Sequence, residues 1–166
     1  MHPKAITMTE GMFGPGVYGF FGEFRWLSNF EPALIYIGDR MFKSTEHYYQ
    51  ACKSRDPKIF DQIADAETCG LAKKFGQSVS RGGLITPDNY DSEWDHPLHP
   101  RKDIVMMQAL EAKYRIPVYG EKLQRLKGLY LEETNWWKDT YWGVCEGKGL
   151  NKLGLFTMKV RDNGIS

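Results

Sequence analysis

The spacing of apolar residues along the chain predicts several short helices and a few short strands. The clearest helix is predicted over residues 104–115, where Met107, Leu110 and Tyr114 form one apolar stripe and Pro117 follows. Other segments with helical spacing or helix caps are residues 44–53, 57–63, 68–75, 119–127 and the stretch from 151 onwards. We therefore expect an α+β fold that is mainly helical, in one compact domain with a few short strands.

A two-residue turn between short apolar runs predicts a β-hairpin. Residues 34–37 and 40–42 flank Gly38-Asp39, a link that is typical of tight hairpins. Short strands are also predicted at residues 17–21 and 129–131. The hairpin leads directly into the next predicted helix.

Two segments follow neither the helical nor the strand period. Clustered glycines predict that residues 1–16 form an irregular N-terminal arm, followed by one domain over residues 17–166. Residues 76–100 hold several glycines and prolines but also Trp94. Long loops inside compact domains are usually functional or disordered, and a tryptophan argues against disorder. We expect this loop to close over a ligand through Trp94; alternatively, Trp94 packs permanently into the core.

The helix predicted over residues 44–53 has an unusual polar face. At positions i, i+3, i+4 and i+7 it carries Glu46, Tyr49, Gln50 and Lys53. A serine or threonine can cap its start, which places Glu46 in the first turn. There the helix dipole favours an ionised carboxylate by roughly 0.3–1 kcal/mol. Such a carboxylate suits a base or a stabiliser of positive charge, but a plain surface helix would have the same pattern.

Composition and charge disfavour some classes of protein but do not identify a function. The net charge of +1 disfavours extended binding to nucleic acid, and the aromatic content of 14% is high for 166 residues. Cys52, Cys69 and Cys145 have no metal-like spacing and cannot all pair, which is typical of a reducing, cytoplasmic compartment. The absence of a long apolar run or signal peptide predicts a soluble protein without a membrane partner.

A second candidate carboxylate is Asp139, which stands between Trp137 and Trp142. Paired carboxylates serve glycosidic bond cleavage because positive charge develops on the sugar as the leaving group departs. A nucleobase as leaving group would also stack on an aromatic ring. The alternative for Asp139 is a turn residue or a helix cap.

Residues 147–151 form a glycine-rich loop before the last predicted helix. Its backbone N–H groups and the helix N-terminus could face an anion such as a phosphate, with Lys148 adding charge. The spacing matches neither a Walker A motif nor a dinucleotide fingerprint, so a simple turn is the alternative.

Other candidate chemistry is weaker. Prolines distort the spacing of His96 and His99, which argues against a zinc site. Cys52 and His47 lie five residues apart and point to different helix faces, which argues against a Cys–His hydrolase. Lys53 could form a Schiff base with an opened ribose, as a secondary role.

Five ordered motifs give the sequence a resemblance to a known family. They are Leu27-Ser28-Asn29-Phe30, Ser44-x-Glu46-His47-Tyr48-x-Gln50-Ala51-x-Lys53, Ala72-Lys73-x-x-Gly76, Ala109-Leu110-x-Ala112-Lys113, and Asp139-x-x-Trp142-Gly143 with Gly147-Lys148-Gly149-x-Asn151-x-Leu153-Gly154. Together they resemble the NADAR (YbiA-like) superfamily over most of residues 18–161. Residues 95–100 depart from the family pattern, which runs straight from a tryptophan into the long helix.

The resemblance implies a compact, mostly helical domain that hydrolyses N-glycosidic bonds. We expect it to use no metal or other cofactor. The implied substrates are ribosylamino intermediates of riboflavin synthesis or ADP-ribosylated guanine, free or as a nucleic-acid base. The family's acidic residues fall on Glu46 and Asp139, and we expect these two side chains and Lys53 to be catalytic. The alternative is a non-catalytic module that binds ADP-ribose or NAD.

The predicted substrate contacts come from the first family motif, the polar helix face, the tryptophans and the glycine-rich loop. They are Asn29, Phe30, His47, Tyr49, Gln50, Trp94, Trp142, Gly143, Gly147, Lys148, Gly149 and Asn151.

Overall fold

The computed structural model describes residues 6–11 and 13–164, and it confirms an α+β fold that is mainly helical. The helices are α1 (Thr45–Ala51), α2 (Pro57–Ala64), α3 (Cys69–Phe75), α4 (Arg101–Tyr114), α5 (Pro117–Gln124) and α6 (Lys152–Asn163). The strands are β1 (Ile6–Gly11), β2 (Gly14–Tyr18), β3 (Ile35–Ile37), β4 (Arg40–Phe42), β5 (Tyr130–Glu132), β6 (Thr134–Asn135) and β7 (Val144–Cys145). Short 3-10 helices cover Gly22–Leu27 and Val79–Arg81.

Contacts between residues divide the chain into two compact units. The first unit consists of Met1–Ser28 and Tyr114–Ser166, and the second unit is Asn29–Lys113. The predicted division into an N-terminal arm and one domain over residues 17–166 stays a prediction. No helix among the described residues combines the length and the apolar character that a membrane crossing requires.

A three-stranded sheet organises the first unit. β2 pairs antiparallel with β1 and parallel with β5, and α6 packs against β5. The predicted irregular arm is therefore wrong for the described residues 6–11 and 14–16, which form these strands. Strand pairing uses backbone groups that every non-proline residue carries, so a glycine-rich composition does not prevent it. At Gly16 a Cβ would lie 2.4 Å from the carbonyl oxygen of Tyr130, so only glycine permits this pairing.

The second unit is built around α1, which packs against α2 and α3. Ser44 caps α1 by accepting a hydrogen bond from the backbone N–H of His47 at 3.2 Å. Asp56 and Thr68 cap α2 and α3 in the same way, and β3 and β4 form the predicted hairpin. Every residue of α1 is buried, so the helix lies in the core. The alternative of a surface helix is wrong.

Residues 76–100 form a fixed wall of the second unit. The backbone N–H of Arg55 donates to Asn89 O at 2.7 Å, and that of Asp91 donates to Lys53 O at 2.8 Å. The Asp91 carboxylate forms ion pairs with the guanidinium groups of Arg55 at 2.7 Å and Arg101 at 3.0 Å. Trp94 is 2% exposed. These contacts favour permanent packing of Trp94 over a loop that closes on a ligand.

Candidate active site

A cavity of about 620 Å³ lies in the second unit, at the end of α1. Segment 76–100 and the start of α4 complete its walls. The rings of Tyr49 and Trp94 lie 5.0 Å apart and form an aromatic part of the lining, and Lys53 supplies an ammonium group. The structure thus brings together three of the predicted site residues in one concave, partly apolar cavity of a size suited to a small ligand.

Glu46 lies in the first turn of α1, as predicted, and is 6% exposed. Its carboxylate accepts a hydrogen bond of 2.7 Å from Nε2 of Gln50, one helical turn later. Glu46 is not one of the residues that line the cavity, but its charge interacts with the Lys53 ammonium. The carboxylate is therefore a buried, oriented group next to a cavity residue.

Lys53 lies in the turn that follows α1, because the helix ends at Ala51 rather than at the predicted residue 53. Its Nζ donates to Gly76 O at 3.3 Å and lies 5.5 Å from the centre of the Tyr49 ring. Burial lowers the pKa of Lys53, although the charges of Glu46 and Asp95 act in the opposite direction. A lowered pKa increases the fraction of neutral, nucleophilic amine.

Gln50 orients the Glu46 carboxylate through its amide nitrogen, while its amide oxygen accepts no hydrogen bond from a described residue. Its Oε1 is buried and has no hydrogen-bond partner among the described residues. The oxygen lies against Gly76, where a Cβ would approach it to 2.1 Å. An unsatisfied buried acceptor costs about 1–3 kcal/mol, so the bond to Glu46 is maintained against an energetic penalty.

Two of the predicted substrate contacts, His47 and Asn29, form hydrogen bonds within the protein, and their contact with a substrate stays a prediction. Nε2 of His47 donates to Ala66 O at 3.1 Å and Nδ1 pairs with Ser44 Oγ at 2.7 Å, while burial lowers the pKa of His47. The Asn29 side chain accepts from Thr45 Oγ1 at 2.9 Å and donates to the sulfur of a methionine on α4 at 3.4 Å. Both arrangements favour structural roles. Phe30, a further predicted substrate contact, is half-buried. The Lys73 ammonium lies 5.4 Å from the centre of its ring.

Asp139 lies in the first unit and has the turn geometry that the alternative prediction describes. Its Oδ1 accepts hydrogen bonds from the backbone N–H groups of Tyr141 at 3.1 Å and Trp142 at 2.9 Å. Its own backbone N–H donates to Asn135 Oδ1 at 3.1 Å. A catalytic role for Asp139 stays a prediction, as does stacking of a base on the half-buried ring of Trp142.

Several backbone donors of the glycine-rich loop are bonded within the first unit, which favours the alternative of a simple turn, and a phosphate contact at this loop stays a prediction. The N–H groups of Lys148, Asn151, Lys152 and Leu153 donate to carbonyl oxygens of residues 145, 143, 141 and 142 at 3.0, 3.3, 3.2 and 3.0 Å. Residues 147–149 are exposed, whereas Asn151 is buried and bonds Leu131 O and the N–H of Glu133 at 2.9 and 3.0 Å. At Gly143 a Cβ would lie 2.2 Å from Glu133 O, so close backbone packing explains this glycine.

The cavity also contains a polar cluster that sequence reasoning missed. Asp95 accepts from Lys102 Nζ at 2.6 Å through one carboxylate oxygen and from the Tyr90 hydroxyl through the other. All three residues line the cavity. They share neither a helical nor a strand period, and the only signal in the sequence is the position of Asp95 directly after Trp94.

The part of the chain that the structure describes also bears on metal binding and on thiol chemistry at Cys52. No group of three or more His, Cys, Asp or Glu residues there could hold a metal ion. Burial raises the pKa of the Cys52 thiol to about 11, so the thiol is protonated at neutral pH and is a poor nucleophile.

Comparison with known proteins identifies the family. The NADAR domain model matches residues 17–163. The chain belongs to the NADAR family. It is 30% identical over 151 residues to N-glycosidase YbiA of Escherichia coli, covering 86% of this chain and 81% of that protein. An N-glycosidase of Nostoc punctiforme is 32% identical over 139 residues, with 81% and 82% covered.

A further relative and a solved structure of YbiA extend the comparison of this NADAR chain. The riboflavin biosynthesis protein PYRR, chloroplastic, of Zea mays is 30% identical over 159 residues, covering 87% of this chain but 23% of that protein. The NMR structure of the Escherichia coli protein YbiA superposes with a TM-score of 0.74 at 26% identity, covering 89% of this chain and 82% of that one. The NADAR motif around Glu46 builds the cavity region of the second unit, and the motif around Asp139 belongs to the first unit.

Proposed function

We propose that this protein hydrolyses the bond between a ribosyl group and the nitrogen of a base or base-like group. The chain is a hydrolase of N-glycosyl compounds, since curated N-glycosidases are about 30% identical to it over most of its length. The observation that carries the site assignment is a buried Glu46, held by Gln50, beside a Lys53 that lines an aromatic cavity.

The reaction requires stabilisation of positive charge on the sugar. As the bond from C1′ to the base nitrogen breaks, C1′ develops oxocarbenium character. A buried, oriented carboxylate stabilises such charge more than a solvated one, because water does not screen it. Glu46 would stabilise this charge or take a proton from the water that attacks C1′. The buried rings of Tyr49 and Trp94 line the apolar side of the cavity, where a base would lie against them.

Lys53 supports a second route to the same product. Its pKa is lowered by burial, so more of its amine is neutral and able to attack C1 of an opened ribose. As the C1–N bond breaks, the base nitrogen would take up a proton and leave, and a Schiff base between Lys53 Nζ and C1 would remain. Water would then hydrolyse this Schiff base, which returns the free amine and the open-chain sugar.

Two classes of substrate fit the proposed reaction. Relatives from Vibrio vulnificus and Zea mays are riboflavin biosynthesis proteins, which supports ribosylamino intermediates of that pathway. The family resemblance also supports ADP-ribosylated guanine, free or within a nucleic acid. The net charge of +1 favours a nucleotide or a single exposed base over an extended duplex.

A side-by-side turnover assay on both substrate classes tests the proposal. Glu46→Gln keeps the shape of the side chain and removes its charge, and we expect a loss of roughly 10²–10⁴ in rate. Glu67→Gln is the matched control, because Glu67 is exposed. Full turnover by a folded Glu46→Gln variant would contradict the assignment of Glu46. Saturable binding of ADP-ribose without turnover of either class would indicate a binding module.

A further inference from the structure

The proposed chemistry leaves the ion pair of Asp95 and Lys102 in the cavity without a role. Asp95 lines the cavity together with Tyr90 and Lys102, which each donate to one of its two oxygens. Donors on both sides fix the plane of the carboxylate before any ligand binds. Such preorganisation is typical of a group that recognises a ligand in one orientation.

The carboxylate retains the capacity to accept further hydrogen bonds. An ionised carboxylate offers roughly four lone-pair positions, and the two internal donors use about half of them. The Asp95 side chain is 57% exposed, so the remaining positions are open to the cavity and to solvent. Burial alone would raise the pKa of Asp95, but the bonds from Lys102 and Tyr90 outweigh it and hold that pKa below its usual value. At neutral pH Asp95 therefore only accepts hydrogen bonds.

The position of Asp95 relative to Lys53 indicates which part of a ligand it faces. Both side chains line the same cavity, and their opposite charges interact. A sugar whose C1′ reacts beside Lys53 would carry its 2′- and 3′-hydroxyl groups close to that carbon. Hydroxyl groups donate to a carboxylate, whereas a phosphate would be repelled by it.

We propose that Asp95 accepts hydrogen bonds from the 2′- and 3′-hydroxyl groups of the ribosyl group, and so makes the cavity selective for ribosyl over 2′-deoxyribosyl ligands. An acidic side chain recognises the ribose hydroxyl in dinucleotide-binding sites by the same chemistry. The identity of the ligand as a ribosyl compound rests on the proposed function. Tyr90 and Lys102 act as positioning residues, which hold the carboxylate ionised and in place.

Equilibrium binding tests the inference independently of turnover. Isothermal titration calorimetry would compare ribose 5-phosphate with 2-deoxyribose 5-phosphate on the wild type, Asp95→Asn and Asp88→Asn. Asp88 is the matched control, because it is an exposed aspartate of the same segment that does not line the cavity. We expect the wild type and Asp88→Asn to prefer ribose 5-phosphate by roughly 10-fold or more. Asp95→Asn should lose that preference through weaker binding of ribose 5-phosphate alone.

A second variant keeps the carboxylate and changes only its support. Tyr90→Phe retains the ring in the cavity and removes one donor to Asp95, which should raise the pKa of Asp95. The preference for ribose 5-phosphate should then disappear at a higher pH than in the wild type when the pH is lowered. A preference with the same pH dependence as the wild type would contradict the positioning role of Tyr90.

The outcomes separate this inference from the proposed function. Equal weakening of both sugars by Asp95→Asn, an unchanged preference, or a wild type that binds neither sugar would overturn the role of Asp95. The expected binding pattern without release of base from any riboside would support Asp95 and overturn the hydrolase proposal. Thermal unfolding of each variant would verify that the fold is intact.

Discussion

At the scale of single residues, the site depends on short contacts that join three parts of the second unit. Gln50 donates to Glu46, Gly76 lies against the Gln50 amide, and the Gly76 carbonyl accepts from Lys53. A change at any of these positions would therefore disturb the carboxylate or the ammonium group. The Gln50 side chain packs directly against Gly76, which explains why position 76 is a glycine. No local period of the sequence reveals this contact.

Gly76→Ala tests this packing. Its Cβ would lie 2.1 Å from Gln50 Oε1, so the amide must move and the bond to Glu46 should break. We expect the free energy of unfolding to fall by about 1–3 kcal/mol and turnover to fall further than stability explains. Gly70→Ala on α3 is the matched control, since its nearest neighbour lies 3.9 Å away. An active Gly76→Ala enzyme with wild-type stability would contradict the role given to Gly76.

Lys53 allows a direct test of the Schiff-base route. Borohydride added during turnover would reduce the C=N bond and leave a stable sugar adduct on Lys53, which mass spectrometry of the peptide would locate. Lys53→Arg keeps the positive charge and should give no adduct, because a guanidinium is not nucleophilic at neutral pH. Turnover without an adduct in the wild type would leave Glu46 as the carrier of the chemistry.

At the scale of elements, Asp91 holds the segment 76–100 against the rest of the second unit. Its buried carboxylate bonds Arg55 and Arg101, and the backbone N–H of Glu93 also donates to it. This wall carries Trp94 and Asp95 into the cavity. Helix α4 begins directly after this wall at Arg101, three residues before the predicted start.

Asp91→Asn should destabilise the protein in a pH-dependent manner. Burial alone would raise the pKa of Asp91, but the bonds from Arg55, Glu93 and Arg101 outweigh it and lower that pKa. A carboxylate with a lowered folded-state pKa stabilises the fold above its ordinary pKa, and this contribution is lost as the pH falls through the lowered value. We expect a loss of about 1–3 kcal/mol in the free energy of unfolding at neutral pH.

Chemical denaturation at several pH values would measure this difference. Asp88→Asn again serves as the control, because Asp88 is exposed on the same segment. The gap between the wild type and Asp91→Asn should narrow as the pH falls. A constant gap down to acidic pH would mean that the charge of Asp91 does not contribute and that only its shape matters.

At the scale of the whole molecule, family membership and local geometry answer different questions. The NADAR match covers residues 17–163 and establishes the class of chemistry, which the curated relatives share as N-glycosidases. The cavity of the second unit adds an aromatic wall, an amine and a fixed carboxylate to that class. These groups are compatible with a ribosyl ligand. The sugar-binding experiment would test that ligand class, and the turnover assay would distinguish ribosylamino intermediates of riboflavin synthesis from ADP-ribosylated guanine.

Local sequence determined the elements whose signals lie within a few residues. Ser44, Asp56 and Thr68 cap their helices because each side chain reaches an N–H group two or three residues later. The Gly38-Asp39 link closes its hairpin for the same local reason. The family motifs also identified the helix that carries Glu46, and with it the region of the cavity.

Features that join residues far apart in the sequence depend on the fold as a whole. β2 pairs with β5 across more than a hundred positions of sequence, which makes strands of a segment predicted to be irregular. Carbonyl oxygens of residues 141–145 accept from several N–H groups of the glycine-rich loop and the following helix start, which favours a simple turn there. The burial of α1 likewise arises from its packing against α2 and α3. Backbone donors and charged side chains bond whichever partner the fold brings near, and a one-dimensional pattern does not contain that proximity.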